Sequence, residues 1–201
     1  MIYPSVARSW QIRSLACGLI LLQPAMSVRL VRGELPGGAS VVAGSASIAT
    51  QGNALNVTTH SDRAIINWQN FSIGAGNSAN FHQPDSGSAV LNRVITPNNP
   101  SAIYGQLNSN GQVYLINPSG IIVGPSGMIN ANGFTASTLD ISNKQFMQGG
   151  PLTFQGDSTA GVINQGTIQT GSGGAALLGN QVLNSGTITS DGGSISLATG
   201  G

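Results

Sequence analysis

The chain has 201 residues, of which 6% are charged and 40% are hydrophobic, and its formal net charge is +1. This balance, with only seven scattered Lys and Arg residues, excludes the basic surface of a nucleic-acid-binding protein. The hydrophobic residues lie in short β-branched runs, which indicates a chain with a packed core and argues against disorder.

The first 27 residues have the pattern of a signal peptide. Two arginines precede an apolar segment at 14–22, and small residues occupy the positions at 25–27 that signal peptidase reads. The apolar segment is shorter than the roughly 20 residues that a membrane-spanning helix needs. We predict a signal peptide at 1–27, whose end lies between residues 27 and 34, and a folded domain at 35–201. A buried N-terminal helix is the alternative.

Short strand-like runs bounded by Gly, Asn, Asp or Pro follow at intervals of about 8–12 residues, a spacing typical of all-β proteins. Helical periodicity does not persist beyond two turns, which excludes a helical bundle. Thr96–Pro100 is predicted to be a loop, because each proline fixes φ and lacks an N–H donor. Ser88–Val94 and Ser101–Leu107 flank this loop, and the predicted strands before it are Val41-Val42, Ala46–Ile48, Leu55–Thr58, Ala64–Trp68 and Ser78–Phe81.

The stretch 111–138 combines three short apolar runs with tight, non-helical corners. Val113–Ile116, Ile121–Val123 and a run from Met128 are separated by N-P-S-G and G-P-S-G. Strands this short, with corners this tight, favour a chain that coils on itself as a β-solenoid.

The C-terminal segment contains an internal repeat. The phrase VINQGTI at 162–168 returns as VLNSGTI at 182–188, and a related phrase begins at Met128-Ile129-Asn130. A period of about 20 residues without a helix indicates a parallel β-helix, although a propeller or a sandwich stays open.

In such a coil each residue stacks on its equivalent one turn away, at about 4.8 Å. We therefore expect apolar columns inside, and glycines with positive φ at the corners. Asn164 and Asn184 are expected to form a hydrogen-bonded ladder.

The segment Asp140–Gly156 breaks this rhythm and is predicted to leave the coil as a small β excursion, a short hairpin. The sequence ends after a complete repeat without a polar cap, and the ends of solenoids need one. We expect the chain to be the N-terminal part of a longer exported protein, or a truncated copy of one.

Residues with catalytic potential do not cluster in the sequence. Two histidines, His60 and His82, are too few for a usual zinc site, and a triad of His60, Asp62 and a serine lacks the G-x-S-x-G elbow. Gly74-Ala75-Gly76 is predicted to be a β-turn, and Trp68 and Phe71 are predicted to be core aromatics. We predict no enzymatic activity, no cofactor and no metal.

Several longer phrases occur in a fixed order, at 35–48, 66–84, 88–94, 99–107, 110–134 and 135–142. Together they resemble the two-partner secretion (TPS) domain of filamentous haemagglutinin-type exoproteins, also called the haemagglutination activity domain. The resemblance implies a right-handed parallel β-helix with an N-terminal β cap.

The resemblance also implies a partner and a route. The Sec machinery and signal peptidase bring the chain to the periplasm of a Gram-negative bacterium. An outer-membrane TpsB (Omp85-type) transporter with POTRA domains then recognises it while unfolded. The domain folds outside the cell, secreted or on the surface, at the front of an adhesin, haemolysin or contact-dependent toxin.

The family motif N-P-N-G-I is present as Asn117-Pro118-Ser119-Gly120-Ile121. Serine at the second Asn position is expected to weaken a turn hydrogen bond while the proline and glycine geometry is retained. A second motif, N-P-N-L, has no clean copy, and the secondary candidates for recognition are Asn92, Arg93, Asn99 and Pro100. The motif is equally consistent with a plain β-helix corner, and both roles can hold together.

Two other classes of function stay open. One is an adhesive module that binds host-cell surfaces or glycans directly. The other is a polysaccharide-active β-helix enzyme, which would need clustered carboxylates. The aspartates are dispersed, at Asp62, Asp85, Asp140, Asp157 and Asp191.

Overall fold

A computed structural model describes residues 34–200, so the predicted signal peptide lies outside the described residues. No helix in this part of the chain is long and apolar enough to cross a membrane. The elements are β1 Ser40–Ala43, β2 Ala46–Gln51, β3 Ala54–Thr59, β4 Arg63–Trp68, β5 Ser78–His82, β6 Ala89–Val94, β7 Ser101–Ile103, β8 Gln106–Ser109, β9 Gln112–Ile116, β10 Ile121–Val123, β11 Met128–Ser137, α1 Asn143–Gln148, β12 Gly161–Asn164, β13 Thr167–Gly179, β14 Gln181–Asn184, β15 Thr187–Ser190 and β16 Ile195–Thr199.

The strands stack in parallel on three faces, and each turn of the coil visits the faces in the same order. Face A holds β3, β5, β8, the first parts of β11 and β13, and β15. Face B holds β4, β6, β9, the second parts of β11 and β13, and β16. Face C holds β7, β10, β12 and β14. This arrangement confirms the predicted parallel β-helix and excludes a propeller or a sandwich.

Two antiparallel strands form the predicted N-terminal cap. β1 pairs with β4, and β2 pairs with β3, so the first turn of the coil is covered by chain that runs the opposite way. The cap matters because the first turn would otherwise present unpaired strand edges to other chains.

The twenty-residue repeat stacks in the predicted register. Val162 lies opposite Val182, and Ile168 lies opposite Ile188. The side-chain amide of Asn164 donates to Asn184 Oδ1 at 2.8 Å, which confirms the expected asparagine ladder.

The structure corrects the assignment of the related phrase at Met128. Met128–Asn130 pairs with Thr167–Gln169 on face A, whereas Val162–Asn164 pairs with Ile121–Val123 on face C. The phrases look alike because both are short strands with an Asn before a corner. The excursion inserted between them lengthens the interval and hides the true register.

The segment Ser101–Leu107 contains parts of two strands, because a corner at Tyr104-Gly105 separates β7 from β8. A Cβ at Gly105 would overlap the carbonyl oxygen of Asn77 one turn earlier. The same overlap with a carbonyl oxygen on the preceding turn recurs at Gly127, Gly166 and Gly186.

The expected positive φ is present at the corner glycines Gly76 and Gly120, but none of these four glycines has it. The close approach of consecutive turns, and not a left-handed backbone, requires glycine there. The turn at Gly74–Asn77 is confirmed, with Gly76 at φ 83° and Asn77 N donating to Gly74 O at 3.0 Å.

The interior is apolar along the coil and aromatic near the cap. Trp68 and Phe71 meet edge to face with ring centroids 5.5 Å apart, and Phe71 stacks on Phe81 at 6.4 Å. All three side chains are buried, which confirms the prediction that Trp68 and Phe71 are core residues.

The excursion lies where it was predicted, but it contains helix α1 in place of strands. Its β structure is limited to one antiparallel bridge between Asp140 and Gln155. Ser142 caps α1 by accepting from Gln145 N at 3.2 Å, and Phe146 is buried beneath it. A six-residue helix is too short to give a periodic signal in the sequence.

Candidate functional site

The candidate motif forms a tight corner between β9 and β10. Gly120 N donates to Asn117 O at 3.0 Å, which closes a β-turn, and Ser119 N donates to Asn117 Oδ1 at 2.9 Å. Gly120 has φ 111°, a conformation that other residues rarely adopt, so the backbone requires glycine at this position.

The structure corrects the expectation for Ser119. The turn bond at this position comes from the backbone N–H, which serine and asparagine supply equally. Serine in place of the second Asn of the family motif therefore leaves this turn bond intact.

Asn117 connects three successive turns of the coil. Its amide Nδ2 donates to Asn99 O at 2.8 Å and to Ser101 Oγ at 2.9 Å, both on the preceding turn. Its backbone N donates to Ser137 O, on the following turn, at 2.9 Å. The side chain is fully buried, and its hydrogen bond to Ser101 Oγ is buried with it.

The surface beside this corner is an open groove of about 670 Å³. Pro118 is exposed at its edge, and its carbonyl oxygen accepts from Ser158 Oγ at 2.7 Å. Ile95 lies in the groove with 53% of its surface exposed, next to Pro97. Asp157 supplies the charge of the lining.

A family model described as the TPS secretion domain matches residues 33–201. The chain belongs to this family.

Two kinds of relative support the assignment to the secretion-domain family. The crystal structure of the HMW1 secretion domain from Haemophilus influenzae is 44% identical, with a TM-score of 0.77 over 82% of this chain and 45% of that chain. A heme/hemopexin-binding protein of H. influenzae strain Rd is 42% identical over 108 residues, which is 54% of this chain and 12% of the relative. A second H. influenzae protein of the same name is 39% identical over 92 residues. The chain thus spans 12% and 10% of the length of these two proteins.

Asn99 and Pro100, two secondary candidates in this secretion domain, lie at the same corner as Asn117. Asn99 donates through Nδ2 to Gln69 O at 2.9 Å and accepts from Asn117 through its carbonyl. Pro100 is exposed and lines the groove. The structure therefore brings the two Asn-Pro pairs of the sequence together across adjacent turns.

Asn92 and Arg93, the other two secondary candidates, lie on face B, away from this corner. Asn92 is fully buried, accepts from Trp68 Nε1 at 2.9 Å and donates to Tyr114 O at 3.3 Å. The Arg93 side chain is 13% exposed and is directed to Asp140 in the excursion. Their contacts hold the fold together and leave little surface for a partner.

The sequence did not indicate that residues 157–160 would close the groove opposite Pro118. These residues follow the excursion in the chain. Their neighbours in space can be inferred only when the register of the coil is known. Among the residues described, no group of three or more metal-ligating side chains lies together. His60 Nε2 lies 2.8 Å from Ser47 Oγ on the exposed cap hairpin.

Proposed function

We propose that this domain directs its chain to a TpsB transporter in the outer membrane of a Gram-negative bacterium. The transporter reads the chain before it folds, and the β-helix then assembles on the outside. The proposal of export rests on the match of the family model to residues 33–201.

The burial of the motif supports recognition before folding. Asn117, Gly120 and Ile121 are buried in the folded coil, and Ser119 is half-buried. A partner can therefore contact most of these side chains only while the chain is open.

The hydrogen bonds of the folded corner do not favour early folding of the chain. The two bonds from the Asn117 amide join residues 16 and 18 positions apart, so they cannot form until neighbouring turns exist. An extended chain of low charge can pair its backbone with an exposed strand edge of a POTRA domain, which is recognition by strand addition.

The remaining steps of the route follow from the predicted signal peptide. The Sec machinery delivers the chain to the periplasm, and signal peptidase removes the leader. The domain is then secreted or displayed at the cell surface. Contact with host surfaces or glycans stays a prediction, and binding of the folded domain to a glycan array would test it.

Co-expression tests the export proposal. The full chain is produced in a Gram-negative host with or without a TpsB transporter encoded beside it, and the medium is assayed for the mature domain. We expect release only with the transporter. Equal release in both cases, or retention despite a working transporter, would overturn the proposal.

A binding assay tests the role of the motif separately from export. The purified chain is diluted from urea onto immobilised POTRA domains, before it can fold, in wild-type and Asn117→Ala forms. We expect Asn117→Ala to bind roughly tenfold more weakly, a loss of about 1.4 kcal/mol.

Asn164→Ala is the matched control, because Asn164 is also fully buried at a corner but lies outside the motif. It should bind as the wild type does. Equal loss in both variants, or no loss in either, would show that Asn117 has only a structural role.

A further inference from the structure

Face B carries a second apolar cluster on its outer side, outside the coil. Ile65 of β4, Leu91 of β6 and Ile116 of β9 are buried there with Ile141 and Phe146 of the excursion. Strand residues alternate between the two faces of a sheet, so these side chains point away from the main core. Without the excursion they would form an apolar strip open to water.

This strip is confined to the first three turns of the coil. In register with Tyr114 and Ile116 of β9, the next turn places Thr135 and Ser137 at the outward positions. The strip thus ends where the excursion begins, since the chain leaves the coil after Ser137. The excursion therefore runs backward from the fourth turn and covers the three turns made before it.

Two arginines of the early strands hold the excursion in place. Arg93 donates to Asp140 Oδ1 at 2.9 Å, to Asn143 Oδ1 at 2.8 Å and to Ile141 O at 2.7 Å. These bonds pair the positive charge of Arg93 with the Asp140 carboxylate and hold the start of the excursion in place.

Arg63 holds the far end of α1. It donates through Nη1 to Phe146 O at 3.1 Å, and its guanidinium carbon lies 5.3 Å from the centre of the Phe146 ring. The same ring meets Tyr114 edge to face at 5.3 Å. One aromatic side chain thus contacts both β4 and β9.

We propose that residues 140–156 are a clamp that closes over the first three turns only after β11 of the fourth turn has formed. Arg63, Arg93 and Phe146 are its positioning residues. The N-terminal half of the domain reaches its full stability only when residue 156 is available. The timing during secretion rests on the proposed export function, whereas the clamp and its late closure do not.

Hydrogen exchange of the purified full chain locates the effect of the clamp. Phe146→Ala removes the side chain that fills the outer cluster, a loss that in buried sites corresponds to roughly a hundredfold change in an equilibrium constant. We expect exchange of amides in β4, β6 and β9 to accelerate by up to this factor, while β12 and β14 keep wild-type rates. Equal acceleration in all five strands, or none, would overturn the clamp.

Two further variants keep the test independent of global unfolding. Lys144→Ala changes an exposed residue of the same helix and should leave exchange unchanged. Arg93→Lys keeps the charge but cannot make the same set of three bonds, so it should accelerate exchange in the same strands by a smaller factor. An effect of Arg93→Lys centred on β12 and β14 would contradict the clamp.

Refolding kinetics test the order of events without any transporter. Trp68 is one of two tryptophans, and the other lies in the predicted leader, so its fluorescence reports formation of the capped first turn. If the clamp closes after the transition state, Phe146→Ala should raise the unfolding rate roughly a hundredfold and leave the refolding rate nearly unchanged. A refolding rate that falls in proportion to the lost stability would show that the clamp forms early. Because this assay needs no export, its failure would leave the proposed function untouched.

Discussion

Asn117 holds the candidate corner in place through hydrogen bonds to the turns on both sides. Its own turn is closed by the bond from Gly120 N to Asn117 O. Its hydrogen bonds to Asn99, Ser101 and Ser137 reach adjacent turns, and their identity follows only from the register of the coil.

Replacing Asn117 by alanine should destabilise the folded domain. The change removes the two bonds donated by Nδ2 and the bond from Ser119 N, and it leaves the buried Ser101 Oγ without this donor. We expect the free energy of unfolding to fall by about 2–3 kcal/mol, measured by urea denaturation. Ser119→Asn is the control and should change it by less than about 0.5 kcal/mol. A larger effect for Ser119→Asn than for Asn117→Ala would contradict the geometry.

The pKa of Tyr114 shows how well Phe146 shields the Tyr114 side chain from water. Burial raises the pKa of Tyr114, and the positive charge of Arg63 partly opposes this rise. Because the fold favours the neutral phenol, Tyr114 contributes to the stability of the fold below its unfolded-state pKa. This contribution is lost as the pH rises through the folded-state pKa. Phe146→Ala should lower the Tyr114 pKa toward its usual value of about 10, measured by tyrosinate absorbance. An unchanged pKa would mean that Phe146 does not shield the hydroxyl.

At the scale of elements, the corners, the repeat and the position of the excursion were predictable, and the helix inside the excursion was not. Proline and glycine mark corners through their own backbone chemistry, and equal spacing places the last turns in register. Helix α1 is six residues long and is stabilised by docking of Phe146, so its local sequence carries little sign of it. The corner between β7 and β8 has no clear local signal for a related reason, because Gly105 is needed only where two turns approach.

Gly166→Ala tests the close approach of consecutive turns. The added methyl group would overlap the carbonyl oxygens of Gly127 and Gly124, and backbone cannot move aside as a side chain can. We expect a loss of about 1–3 kcal/mol in the free energy of unfolding, measured by denaturation. Gln165→Ala, at an exposed neighbouring position, should have almost no effect. A neutral Gly166→Ala would show that the turns are farther apart than described.

At the scale of the whole molecule, the architecture and the export role support each other. A coil in which each parallel strand pairs with one on another turn has few stable parts until several turns exist. This property fits the proposed export of the chain before it folds. Once the domain is outside, the cap covers the first turn, and the clamp covers the outer side of face B.

A disulfide that locks two turns tests most directly whether the domain crosses the outer membrane unfolded. Gln169 and Thr189 are exposed partners on adjacent strands, and such partners lie about 4.8 Å apart, within the range that a disulfide spans. The variant Gln169→Cys with Thr189→Cys is expressed with the TpsB transporter, with each single-cysteine variant as control. We expect the double variant to be retained in the periplasm, the single variants to be released, and a reductant to restore release of the double variant. Release of the domain at the wild-type level with its disulfide intact would contradict the account.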